Sequence, residues 1–162
     1  MNKTQKGMGL VEVLVALVLL AIGVLGFTAL QMRALAASQE AGNNIQAMNI
    51  ARDLSERIRV NREGLLDYKK ANTVKDCSAE FCDEKQMAAY DFQVVVSKAN
   101  DFGMTLAVLD CQGSAALERK CIYVAWAGTT ATNGRGNPNC TDGAAYLPEA
   151  KCIIVETYNY DK

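Results

Sequence analysis

The 162-residue sequence contains no histidine and only two prolines, and 7% of its residues are aromatic. Without histidine, a serine or cysteine nucleophile has no imidazole base, which excludes Ser-His and Cys-His catalysis. No proline precedes Pro138, so nothing forces a helix to break between Met8 and about Asn61. No excess of one charge is present either, because 17 basic residues face 18 acidic ones for a net charge of −1. Neither nucleic acid nor an anionic lipid surface is an obvious partner for such a balance. The chain is not expected to be an enzyme, and no catalytic residue, cofactor or metal is assigned.

A membrane-length apolar run is present. Val13 to Leu30 contains no charged residue and is filled almost entirely by Val, Leu, Ile, Ala and Gly. Eighteen such residues suffice to cross a hydrocarbon core about 30 Å thick. Lys3 and Lys6 precede the run without an accompanying acid, so the amino end is expected to stay in the cytoplasm and the bulk of the chain to cross. A secretory signal peptide would have an apolar core of only about 7 to 15 residues ending in small residues. Here the run continues into Gln31-Met32-Arg33, with Ala34 to Ala36 as the competing cleavage site, and a retained single-pass helix is the reading adopted.

Glu12 stands at the mouth of this run. A carboxylate entering hydrocarbon costs a few kcal/mol and normally has a partner. Snorkelling to the headgroups is one solution. The other is a cation at the same depth, and cleavage after Gly7 would create one in the new amine of Met8. The segment Lys6-Gly7-Met8-Gly9-Leu10-Val11-Glu12, followed by Val13 to Ile22, resembles the class III signal of type IV prepilins and of type II secretion pseudopilins. Phe is commoner in that family where Met8 stands, and Thr where Gly9 stands. The resemblance implies that a prepilin peptidase cuts after Gly7, that Met8 becomes the N-methylated first residue, and that Glu12 is the assembly carboxylate.

Beyond the run, Ala34, Ala37, Ala41, Ile45, Met48, Ala51, Leu54 and Ile58 recur every three or four residues, which predicts an apolar stripe on a continuing helix. Gly23, Gly26 and Gly42 weaken that helix by about 1 kcal/mol each relative to alanine. Arg57, Arg59 and Arg62 are interleaved with Glu56 and Glu63 and read as a solvated helix end rather than a nucleic-acid patch. Ala51 to Arg62 is similar to the segment found at this place in one branch of minor pilins, the type IV pilus modification proteins.

Six cysteines follow: Cys77, Cys82, Cys111, Cys121, Cys140 and Cys152. An even number in an exported part argues for disulfides. Zinc is the weaker use, since Cys77-x4-Cys82 has no second tight pair and no histidine to join it. Six cysteines allow fifteen connectivities. The simplest is sequential, with Cys111 and Cys121 bracketing a hairpin and Cys140 and Cys152 closing a loop poor in apolar residues. Asp76, Glu80, Asp83 and Glu84 lack the spacing of a calcium loop and read as a solvated acidic surface. The glycines between Asn133 and Asn139 follow no strand and open no helix, so this stretch reads as a surface loop.

Val94-Val95-Val96 favours a strand, but Ala88, Phe92, Val95, Ala99 and Phe102 repeat at helical spacing before Gly103, and a helix over 87–102 is the reading adopted. Strands are expected near 104–110, 121–127 and 152–159. The fold class expected is α+β. It combines a long N-terminal transmembrane and amphipathic helix with a small antiparallel sheet domain closed by disulfides, which is the pilin architecture that the resemblance implies. The organisation expected is a leader over 1–7, a long helix over 8–62 that is transmembrane from about 10 to 30, and a periplasmic globular domain over 63–162. The resemblance further implies a minor pilin of a tip or priming complex that supports pilus assembly, adhesion and twitching motility, with a minor pseudopilin of type II secretion as the alternative. Its implied partners are other minor and major pilins, the prepilin peptidase, the inner-membrane pilus assembly platform and the inner-membrane lipid. Its implied location is the inner membrane, then the pilus.

Overall fold

The computed structural model of the protein describes residues 9–113 and 119–157. The chain divides into two compact units, one ending at Gly42 and the other beginning at Asn43. Helix α1, Leu10–Val60, runs through the division and through Gly23, Gly26 and Gly42 without interruption. None of these three glycines has a non-neighbouring atom where a Cβ would approach it, so close packing within the chain does not explain them.

In the second unit α1 buries Ala47, Ile50, Ala51, Leu54 and Ile58. These fall at i, i+3, i+4, i+7 and i+11, a single face of an α-helix. Ala51, Leu54 and Ile58 of the predicted stripe lie on this face, whereas its earlier members Ala34, Ala37, Ala41 and Ile45 are exposed. The repeated three-residue steps in that series turn it steadily around the axis, and Ile45 ends roughly 120° away from Ala51.

A 3-10 helix, Arg62–Asp67, follows, and then α2, Glu84–Asp101. Helix α2 begins three residues before the predicted start because Asp83 caps it. Gln86 donates its backbone N–H to Asp83 Oδ1 at 2.8 Å, and Asp83 donates its own to Gln86 Oε1 at 3.2 Å, a reciprocal capping box. The helix ends where Gly103 takes φ +67 and Met104 N–H turns back to the Ala99 carbonyl at 2.9 Å.

Strands β1, Thr105–Asp110, and β2, Lys120–Ala125, pair antiparallel. Strand β6, Cys152–Thr157, pairs antiparallel with the other edge of β2, giving the order β1-β2-β6. Alternation along β2 sends Ile122 and Val124 to the core shared with both helices, where Leu54, Phe92 and Met104 also lie. It sends Cys121, Tyr123 and Ala125 to a second cluster with Ala131 and Cys140. Both faces of β2 are therefore covered.

The covering layer on the second side is a small sheet absent from the sequence reading. Strands β3, Thr130–Asn133, and β4, Asn139–Asp142, pair parallel, and β4 pairs antiparallel with β5, Ala145–Tyr146. Side chains hold this polar layer together. Thr132 Oγ1 donates to Asn139 Oδ1 at 2.7 Å, Asn139 Nδ2 donates to the Gly136 carbonyl at 2.9 Å, and Thr141 Oγ1 donates to Asn133 Oδ1 at 2.9 Å. Disulfides join Cys77 to Cys82, Cys111 to Cys121 and Cys140 to Cys152. The third ties β4 to the start of β6 and so fastens the polar layer to the main sheet, a loop closure of the kind that contributes about 3 kcal/mol.

Candidate functional site

The first unit offers one extended chemical feature. Within it, α1 is long and apolar enough to cross a membrane, and its apolar window is not buried inside the molecule. Leu14, Leu17, Leu20, Leu25 and Phe27 all project outward. Such a surface is unstable in water and suited to hydrocarbon or to the apolar sides of other helices. Glu12 sits in the first turn of this helix, its N–H donating to the Gly9 carbonyl at 2.9 Å. A carboxylate there also complements the positive end of the helix dipole. Gly7 and Met8, the residues expected to flank the cleavage, lie outside the described residues.

The second unit holds a polar network that the sequence reading missed. Arg57, read from sequence as part of a solvated helix end, instead bridges α1 and α2. Its Nε donates to Asp53 Oδ1 at 2.9 Å and its Nη1 to Asp91 Oδ1 at 2.5 Å. Lys98 Nζ reaches Asp53 Oδ2 at 3.0 Å. Asp91 is only 8% exposed, so the guanidinium supplies the countercharge that makes its burial tolerable. The Asp53–Arg57 spacing of four was a visible signal. The Arg57–Asp91 pairing is separated by 34 residues and had none.

Burial opposes ionisation of Asp53, but hydrogen bonds and charge from Arg57 and Lys98 outweigh it and hold the carboxyl below its usual value. Its folded value is lowered, so the stabilisation it contributes is complete above about pH 4 and fades as pH falls through that lowered value. Tyr68 completes the network, its hydroxyl donating to the Arg57 carbonyl at 3.0 Å. Burial, with the Asp91 charge acting in the same direction, pushes its phenol up to about 12. An unfolded tyrosine ionises near pH 10, so this contribution is complete below about pH 10 and is lost as pH rises through 12. Ultraviolet titration of the folded chain should therefore show a tyrosine step near pH 12 that Tyr68→Phe removes.

A cleft of about 400 Å³ opens beside this network, lined by Val60, Met87 and the charged groups already described. It brings together carboxylates and a guanidinium already satisfied by one another, without a nucleophile. Among the described residues no group of three or more acidic or cysteine side chains is placed to hold a metal. All six cysteines are in disulfides.

Two family models match the chain, and they meet between residues 28 and 29, within α1. Residues 29–93 match the family described as Tt1218-like, type IV pilin Tt1218. Residues 2–28 match the prokaryotic N-terminal methylation motif. Neither curated proteins nor solved structures gave a match. A match to a type IV pilin family thus directly follows a match to the N-terminal methylation motif, and the long apolar helix with a small disulfide-closed antiparallel sheet is consistent with the type IV pilin fold.

Proposed function

We propose that this chain is a minor type IV pilin, a structural subunit of the tip or priming complex rather than an enzyme, within the branch of type IV pilus modification proteins. The observation that carries the reading is the single acid in the first turn of an outward-facing, membrane-length apolar helix, in a segment matching the N-terminal methylation motif. In this reading residues 1–7 are the leader, and the prepilin peptidase cuts after Gly7 and methylates Met8. Residues 8–62 form the helix that sits first in the inner membrane and then among other pilin helices. Residues 63–162 form the periplasmic domain.

The recruitment mechanism is electrostatic. Glu12 lies four residues beyond Met8, about 6 Å along a helix. Moving one subunit axially past another by that length brings its carboxylate to the level of its neighbour's terminal amine. Each charge alone is costly among apolar side chains, and the pair neutralises both. A helix entering in the correct register is thereby preferred over one displaced along the axis.

Three disulfides in the outer part favour a pilus subunit over a type II secretion pseudopilin, whose outer domain is commonly shorter and poorer in cysteine. Deletion of the encoding gene separates the two: lost piliation and twitching with normal exoprotein release supports the pilus role. Lost exoprotein release with normal piliation sinks it.

A further inference from the structure

Phe81 is 91% exposed, more than any other large apolar side chain among the described residues. It does not hang on a loose loop. The Cys77–Cys82 disulfide closes the segment. Asp76 Oδ1 accepts from Ser78 N at 3.0 Å and from Ser78 Oγ at 2.6 Å. Lys75 Nζ donates to the Phe81 carbonyl at 2.6 Å and pairs with Glu80 at 3.3 Å. A loop fixed in this way loses little further freedom when its aromatic ring is buried by a partner. The ring is flanked in sequence by Glu80, Asp83 and Glu84, so the partner surface should be apolar at its floor and basic at its rim.

The same segment contains such a surface. A cleft of about 420 Å³ lies between residues 73–75 and the first turns of α2, with Val74 and Ala89 as apolar lining and Lys75 and Lys85 as basic lining. Lys75 belongs to both features, lining the cleft while holding the Phe81 carbonyl. Phe81 does not fill the cleft of its own chain, as its exposure shows.

We propose that this patch docks on a second copy of the chain, the Phe81 ring of each copy entering the cleft of the other while Glu80 and Glu84 face Lys85. Lys75 joins knob and cleft in one patch, so two copies related by a two-fold axis can make both contacts at once, the isologous arrangement that closes on a dimer instead of propagating. The area is small for a free-standing interface. Confinement of both copies to one membrane by α1 raises their effective concentration and populates the contact. The dimer does not depend on incorporation into a fibre, and its test leaves processing at Gly7 untouched.

The experiment uses cells co-expressing two differently tagged full-length copies, one carrying p-benzoylphenylalanine in place of Thr73 at the cleft. Illumination should join the two tagged copies through the 77–82 segment. Phe81→Ala in both copies should lower that adduct at least about tenfold, as expected for a central aromatic anchor, while Phe81→Leu retains most of it and Lys85→Glu lowers it. Non-reducing peptide mapping that finds all three disulfides in the Phe81→Ala chain shows that the loss is one of contact and not of fold. An adduct unchanged by Phe81→Ala, an adduct mapping outside the segment, or an adduct formed only with a different protein overturns the proposal.

Discussion

Glu12→Gln is expected to leave the chain inserted in the membrane and cleaved, yet to cut its incorporation into fibres by about 10² to 4 × 10³. The figure follows from the proposed pairing with the Met8 amine. Removing one member of an ion pair out of water strands the other at a cost of about 3–5 kcal/mol, and about 1.4 kcal/mol corresponds to a factor of ten. Glutamine keeps the size and the hydrogen-bonding oxygen but not the charge, so steric explanations are controlled. Insertion should be unaffected, because the apolar surface from Val13 to Leu30 does not involve this residue and a neutral side chain enters hydrocarbon more readily than a charged one. Quantitative immunodetection of the subunit in sheared fibres against the membrane fraction measures the ratio. Wild-type incorporation of the glutamine chain would remove the electrostatic account while leaving the membrane helix intact.

Arg57→Ala is the second large effect, and it acts on stability rather than assembly. The substitution leaves Asp91, 8% exposed, without the guanidinium 2.5 Å away. It also strips Asp53 of one of its two cations, leaving Lys98. A fully buried pair broken in this way costs about 3–5 kcal/mol. The Arg57 side chain retains 34% of its exposure, and solvent screening reduces the expected loss to about 2–4 kcal/mol. Thermal or denaturant unfolding at neutral pH reads it. The penalty should shrink in acid, because Asp53 is held below its usual value in the wild-type fold and that contribution fades as pH falls. Asp91→Asn together with Arg57→Ala should recover part of the loss, since the stranded charge is then absent. A single-variant loss below about 0.5 kcal/mol, the range of ordinary surface substitutions, would reduce the network to a surface feature.

The elements readable from sequence were those written in apolar pattern. The uncharged run from Val13 to Leu30 and the lack of proline before Pro138 leave a long helix as the one regular structure available there. The β-branched runs that became β1, β2 and β6 are bounded by turn residues, and Gly103 ends α2 by taking a conformation that a side chain resists. What was not readable depended on pairings across the chain. Asp83 looked like one member of an acidic surface, and only its reciprocal bonding with Gln86 makes it a helix cap. Strands β3 and β4 carry threonine and asparagine in place of a run of alternating large apolar residues, and β5 is only two residues long, so no period-2 signal marks them. Their order comes from side-chain hydrogen bonds and from the Cys140–Cys152 link. Arg57 looked like the end of a charged helix because its buried partner, Asp91, lies on another helix. Ile45 looked buried because three- and four-residue steps were joined into one stripe without tracking how they rotate around the axis.

Recruitment of the subunit into a fibre begins with a new amino terminus at Met8, and mass spectrometry of the amino-terminal peptide from the mature chain measures it directly. The account predicts a peptide beginning with N-methylated Met8 and no peptide containing residues 1–7. An unmodified chain still beginning at Met1 in cells with an active prepilin peptidase, or a terminus created near Ala36, would contradict it.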